Sequence, residues 1–251
     1  MTQTPGTLIV TGGGRGIGAA ICRMAAREGY AVAVNYQSQE AAANAVVREI
    51  RQAGGQAAAI RADVGKEADV VGLFVQAEEQ LGPLGALVNN AAITGGFGRV
   101  DSVDEATLER LFAVNVIGAL LCSREAVKRL STARGGRGGA IVNISSRAAK
   151  LGSAGEWVHY AMSKGAVDSM TVGLAREVAQ EGIRVNAVAP GHILTDIHKE
   201  AGDPERPVRM AQTIPMGRAG TPEEIAAGVI WLLSPAASYV TGTILEIGGG
   251  R

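Results

Sequence analysis

Seven short apolar runs, separated by stretches of helical periodicity, set the terms on which this chain can fold. The runs span residues 7–10, 31–35, 56–61, 86–89, 140–145, 184–188 and 244–247. Between them, helical patterns occupy residues 17–28, 39–53, 67–81, 103–130, 158–180 and 222–233. Strands that read as continuous apolar runs are buried on both faces, and their alternation with helices predicts a parallel sheet covered on each side. The fold class expected is α/β: one doubly wound domain over residues 1–251, with a seven-stranded parallel sheet. Punctuation agrees. Thr221-Pro222-Glu223-Glu224 offers an N-cap, a proline at the first helical position and a glutamate at the third. Gly29, Gly54 and Gly182 stop helices ahead of the next strand. The longest stretch without a clear pattern, 189–220, has the length of a lid over a binding site.

The first strand runs into Thr11-Gly12-Gly13-Gly14-Arg15-Gly16-Ile17-Gly18, where a helical pattern begins. Glycines between a strand and a helix let backbone approach a bulky anion. The helix N-terminus adds free N–H groups and the positive end of its dipole. Gly12-x3-Gly16-x-Gly18 is a variant of the dinucleotide-binding fingerprint. Of the four tyrosines, only Tyr160 has a lysine, Lys164, four residues on. Residues i and i+4 share a helix face. A phenol titrates at about pH 10, and a neighbouring ammonium favours phenolate. Lys164 is therefore expected to make Tyr160 an acid/base usable near neutrality.

Composition narrows the function classes. Formal net charge is zero and the calculated pI is about 6.9, so no global field favours nucleic acid or an anionic membrane. The charge-free stretch 80–98 contains Pro83, Asn89, Asn90 and several glycines, which argues against a membrane span. Cys22 and Cys122 fall in apolar helical stretches and read as core residues in a reducing compartment. His159, His192 and His198 are not paired on one helix face, so no metal site is expected. The N-terminus shows no secretory pattern, and a cytoplasmic location is the expectation.

These residues resemble the short-chain dehydrogenase/reductase family over essentially the full length. The matching pieces, in the family's order, are Thr11-Gly12-x3-Gly16-x-Gly18, Asp63-Val64, Asn89-Asn90-Ala91, Asn115, Ser145-Ser146, Tyr160-x3-Lys164, Asn186, Pro190-Gly191, Thr195 and Gly248-Gly249. The resemblance implies that Tyr160 exchanges a proton with the substrate oxygen and that Lys164 bonds the nicotinamide ribose. A serine closing the fifth strand would hold the substrate oxygen, and Asn115 would anchor a water leading from Lys164 to solvent. It further implies cofactor contacts from Gly12, Gly14, Arg15, Gly16, Ile17, Gly18, Asn35, Asp63, Val64, Asn90, Ala91, Ala92, Tyr160, Lys164, Pro190, Gly191, Ile193 and Thr195.

The chain departs from the family pattern twice. Ala92 stands where the family usually has glycine. The usual serine-to-tyrosine spacing of thirteen would fall on Arg147, so Ser146 is chosen, with Ser145 as the alternative, and one extra residue is inferred in 151–159. No carboxylate occurs in Asn35-Tyr36-Gln37-Ser38 to bond ribose hydroxyls, and Arg15 could grip a 2′-phosphate, so NADP(H) is expected over NAD(H). Trp157, His192 and Arg147 are expected to border the substrate pocket. The activity implied is an NADP(H)-dependent oxidoreductase acting on a small-molecule carbonyl or secondary alcohol. A 3-oxoacyl thioester or a glucose-type sugar are alternative substrates, and a catalytically silent dinucleotide-binding regulator is the alternative of another class. Apolar and small residues spread around helices 103–130 and 158–180, Ala161, Ala166, Met170, Val172 and Leu174 among them. Together with the family likeness they imply a homotetramer.

Overall fold

The computed structural model describes residues 5–195, 202–203 and 205–251. Seven strands form one parallel sheet: β1 (Thr7–Val10), β2 (Ala31–Tyr36), β3 (Ala57–Arg61), β4 (Leu84–Asn89), β5 (Gly139–Ile144), β6 (Ile183–Pro190) and β7 (Ile244–Ile247), in the order β3-β2-β1-β4-β5-β6-β7. Every expected strand is present within two residues of its expected ends. Successive side chains of a strand point to opposite faces. Leu8 and Val10 therefore enter one core, with Ile21, Val46, Ile225 and Val229. Ile9 enters the other, with Leu73, Phe74, Leu87, Cys122 and Val185. The first core is closed by α1 (Gly16–Arg27), α2 (Glu40–Gln52) and, near the chain's end, a helix over Pro222–Leu233. The second is closed by α3 (Glu67–Leu81) and by the helices between β4 and β6.

The expected helix 103–130 is not uniform. Asp104 caps its start, accepting from the Thr107 N–H at 2.8 Å, so α4 begins one residue later (Glu105–Phe112). A π-helical turn, Ala113–Gly118, then precedes α5 (Ala119–Leu130). Such insertions are uncommon and recur at functional sites. The local cause is visible. The Asn115 side chain is tied to both backbone groups of Ile93, and Gly118 passes so close to Val64 that a Cβ there would lie 2.7 Å from the Val64 carbonyl oxygen. The stretch Glu105–Leu130 is long and apolar enough to span a membrane, but Leu111, Cys122, Ala126 and Leu130 of it are buried in the cores.

Beyond β5 lie α6 (Ala148–Leu151) and the long α7 (Val158–Val178). The stretch 189–220 is partly regular: β6 reaches Pro190, a short α8 covers Arg206–Met210, and Ile193 bridges to Gly220. Residues 196–201 and 204, with His198 among them, lie outside the described residues. Last, α9 (Pro222–Leu233) carries the expected capping box. The Thr221 N–H donates to Glu224 Oε2 at 2.8 Å and the Thr221 hydroxyl accepts from the Glu224 N–H.

Candidate active site

Helices of opposite faces diverge where the strand order reverses, between β1 and β4, and open sheets bind ligands at the carboxyl ends of their strands at such a point. Here the ends of β1 and β4 are knitted together. The Thr11 hydroxyl accepts from the N–H groups of Asn90 and Ala91 at 2.9 and 3.0 Å. The Asn90 amide donates back to the carbonyls of Thr11 and Gly12 at 2.9 and 3.0 Å. The turn that results is shaped by glycine. Gly12 and Gly16 take φ of +63° and +49°. A Cβ on Gly18 would run into the Gly12 carbonyl oxygen and lie 2.6 Å from Asn90 Nδ2. Side chains would fill the space that this backbone leaves at the N-terminus of α1.

Above the turn lies a cavity of about 510 Å³. At one end its wall holds Gly12, Gly14, Arg15, Gly16, Ile17 and Gly18, with Tyr36 closing β2 and Gln37 and Ser38 after it. Asp63, Val64, Asn90, Ala91, Ala92, Pro190, Gly191, Ile193 and Thr195 continue it. Ala92, in place of the family's glycine, is accommodated on that wall. Asn35 also reaches the wall, but its amide is spent behind it. Oδ1 accepts from the Gly12 N–H at 3.2 Å, and Nδ2 donates to the carbonyls of Ile60 and Ala62 at 3.3 and 3.1 Å. Asn35 thus props the glycine turn from the cavity wall. Asp63 is gripped by both terminal nitrogens of Arg110, at 3.0 and 3.1 Å, and accepts from the Gly65 N–H. Burial pushes its carboxyl up, but these partners outweigh burial and hold it below the usual range.

The other end of the cavity holds Ser146, Tyr160 and Lys164. Ser146 acts on the Tyr160 phenol, favouring its ionised form. The Ser145 hydroxyl donates to the Lys164 carbonyl oxygen at 3.5 Å. Both serines line the cavity. The added residue in 151–159 fits a turn with Gly152 and Gly155 at φ of +76° and +75°.

Lys164 departs from expectation. Its ammonium donates to the Ile144 carbonyl at 2.7 Å and stands 5.7 Å from the centre of the Tyr160 ring. Within this chain burial governs both groups. It pushes the Tyr160 phenol up to about 12, with Ser146 working the other way. It pulls Lys164 down to about 8, opposed by the Asp168 carboxylate. The expected lowering of the Tyr160 pKa by Lys164 is thus overridden, because removing a phenolate from water costs more than the ammonium returns.

Asn115 is not on the cavity wall. Its Oδ1 accepts from the Ile93 N–H at 2.9 Å, while Nδ2 donates to the Ile93 carbonyl at 2.8 Å and to Ser163 Oγ at 3.0 Å. These bonds join the strand-four loop, the π turn and α7. Trp157, His192 and Arg147 border the cavity as expected. Sequence reasoning missed Arg206. Its guanidinium lies 4.8 Å from the Trp157 ring and 5.4 Å from Phe97, rings that stack on each other at 4.4 Å. Arg206 also pairs with Glu156 and approaches His192 Nδ1 at 3.3 Å, while Arg251 donates to His192 Nε2 at 2.8 Å. No periodic pattern marks Arg206, because it lies in the irregular 189–220 stretch.

Comparison with known proteins agrees with this geometry. A family model described as Enoyl-(Acyl carrier protein) reductase matches residues 12–251. The uncharacterized oxidoreductase YgfF of Escherichia coli (strain K12) is 50% identical over 243 residues, covering 97% of this chain and 98% of that protein. The 3-oxoacyl-[acyl-carrier-protein] reductase FabG of Staphylococcus aureus (strain Mu50) is 37% identical over 242 residues, 96% of each chain. A short chain dehydrogenase from Burkholderia cenocepacia J2315, solved in complex with NADP, superposes with a TM-score of 0.90 at 33% identity over 98% of each chain. The ordered motifs, the doubly wound sheet and these full-length matches make the chain a member of the short-chain dehydrogenase/reductase family of oxidoreductases.

Proposed function

We propose that the chain is an NADP(H)-dependent oxidoreductase that moves a hydride between nicotinamide and a carbonyl or secondary alcohol, with Tyr160 as the general acid/base. The observation that carries this reading is the meeting, in one cavity, of Ser146, Tyr160, the buried Lys164 and the glycine turn. The turn fits a dinucleotide: its backbone leaves the volume of missing side chains at a helix N-terminus. Gly12, Gly14, Gly16, Ile17 and Gly18 would hold the pyrophosphate, with Asp63, Val64, Asn90, Ala91 and Ala92 along the adenosine. Pro190, Gly191, Ile193 and Thr195 would line the nicotinamide side. When bound, the cofactor supplies or accepts the hydride.

The chain's own residues handle the proton. Ser146 holds the substrate oxygen where negative charge develops, a donor in place before reaction. Tyr160 gives its phenolic proton to that oxygen in reduction and removes one in oxidation. Lys164 contributes its ammonium beneath Tyr160, and Asn115 holds the π turn and α7 in register. NADP(H) over NAD(H) is supported by Arg15, Gln37 and Ser38 on the wall and by the lack of a carboxylate in residues 35–38. The segment 189–220 acts as the lid of a single domain, supported by Ile193, Thr195 and Arg206 on the wall.

A homotetramer is supported by half-exposed Ile117, Leu120 and Met162 on the π turn, α5 and α7, and by Trp231 and Tyr239 near the last strand. Two unpaired, buried cysteines support a cytoplasmic location. The test is a panel of ketones, 3-oxoacyl thioesters and sugars, with NADPH consumption or NADP⁺ reduction as readout and NAD(H) in parallel. Turnover that vanishes in Tyr160→Phe is expected. Tight cofactor binding without turnover on any class would turn the reading to a silent dinucleotide sensor.

A further inference from the structure

Arg147, Lys164, Arg206 and Arg251 all stand on the cavity wall, and three of them are committed within the protein. Arg147 pairs with Glu246. Lys164 donates to the Ile144 carbonyl at 2.7 Å. Arg206 is buried, packed on the Trp157 and Phe97 rings and paired with Glu156. Arg251 differs. Its guanidinium donates to His192 Nε2 and to the Thr213 hydroxyl, each at 2.8 Å, and among the described residues no carboxylate pairs with it.

The contact with His192 is itself only half satisfied. Arg206 Nη1 stands 3.3 Å from the other ring nitrogen, Nδ1. A guanidinium only donates, and a neutral imidazole accepts at one nitrogen alone. One of the two contacts therefore sets donor against donor. In either tautomer Arg206 keeps Glu156, whereas Arg251 has no anion in either. The backbone of Arg251 is nevertheless fixed at the site. Its N–H donates to the Gly248 carbonyl at 3.3 Å, and its own backbone oxygen accepts from Arg147 Nε at 2.7 Å. Arg147 directly follows Ser146, the serine assigned to the substrate oxygen. From the Tyr160 ring the wall continues to Trp157, 5.3 Å away between centroids, and then to Arg206, His192 and Arg251.

We propose that this end of the cavity binds a carboxylate carried by the substrate, with Arg251 as the specificity-determining residue, so that the substrates are oxo acids or hydroxy acids. One uncompensated positive charge matches the single charge of a carboxylate, whereas a phosphate ester brings nearly two. The planar guanidinium fork also fits the two carboxylate oxygens. The carboxylate takes no part in hydride or proton transfer; it turns the carbonyl toward Ser146 and Tyr160. The inference rests on the catalytic reading above for its reaction, but its test reads binding as well as turnover.

The probes are 4-oxopentanoate, 5-oxohexanoate and 6-oxoheptanoate, each beside its uncharged primary amide, titrated by ligand-observed NMR into the whole protein with saturating NADP⁺. At least one acid should bind about tenfold or more tightly than its amide, the worth of a hydrogen bond to a charged group. Arg251→Gln should collapse that preference toward one, and Arg251→Lys should keep part of it. In turnover with NADPH, the loss should appear in KM rather than in kcat. Absence of any preference for acid over amide in the wild-type protein overturns the proposal, and this comparison needs no variant to fold. A preference that survives Arg251→Gln overturns it too, as does tighter binding of dihydroxyacetone phosphate than of every acid. Acid preference in a protein that reduces no carbonyl compound upholds the carboxylate subsite and overturns the catalytic reading; turnover without the preference does the reverse.

Discussion

The Lys164 site should make this protein more stable in mild alkali, against the usual trend, and the effect is measurable by replacing that lysine with methionine. Burial lowers Lys164 from 10.5 to about 8 in the folded chain. Below pH 8 both states carry the proton, and the folded state bears the whole cost of a buried ammonium. At about 1.4 kcal/mol per pH unit, a gap between 10.5 and about 8 amounts to roughly 3 kcal/mol. Between those pH values the folded state has released its proton and the unfolded state has not. The unfolded state then binds more protons, so stability rises with pH. Tyr160 acts oppositely but later: its phenol, raised from 10.0 to about 12, lowers stability only above pH 10. Methionine is a flexible, unbranched filler for the same buried track. It loses the hydrogen bond to Ile144, a penalty with no pH dependence in this window. The assay is urea denaturation of wild type and Lys164→Met from pH 7 to 10.5, at one fixed protein concentration. Wild-type stability minus that of the variant should climb by roughly 3 kcal/mol across the range. Parallel curves would show that Lys164 is not held against its solvation, and the electrostatic account of the site would fall with them.

Tyr160→Phe should leave NADPH binding nearly unchanged in a fluorescence titration while turnover drops by a factor on the order of 10²–10⁴; near-normal turnover would exclude Tyr160 as the proton donor. Gly18→Ala puts a methyl against Gly12 and Asn90, at a stability cost of about 1–3 kcal/mol, and should weaken cofactor binding. Unchanged binding would mean that the turn is not the cradle. Ser146→Ala should reduce kcat by about 10²–10³, as loss of a preorganised donor does, whereas Ser145→Ala should cost far less; the reverse order would exchange their roles. Static light scattering should give about four times the 25.7 kDa chain mass, and a single-chain mass at micromolar concentration would refute the tetramer.

Much of the fold was legible because its signal is local and repeated. Leu8-Ile9-Val10 has no polar partner face to alternate with, and the structure buries all three, two toward one core and one toward the other. The helix 103–130 was harder, since periodicity reports a face and is blind to one inserted residue. The π turn at Ala113–Gly118 depends on Asn115 finding Ile93, twenty-two positions away, and on Gly118 meeting Val64. Neither meeting leaves a mark in the window around Asn115.

The site divides along the same line. Glycine positions are dictated by what would clash, and every expected glycine of the first turn lines the cavity. Charge is different, because its effect depends on depth. Spacing placed Tyr160 and Lys164 together and implied a lowered phenol, but burial of both outweighs their attraction. Asn35 marks a strand end on the cavity wall, and only the fold shows that its amide also braces Gly12. In each case the sequence identified which residues meet, and only the surrounding packing decides what the meeting does. The Tyr160–Lys164 pair shows why that matters: one spacing puts the two side chains on a single helix face, and only their depth decides how readily each can carry its charge.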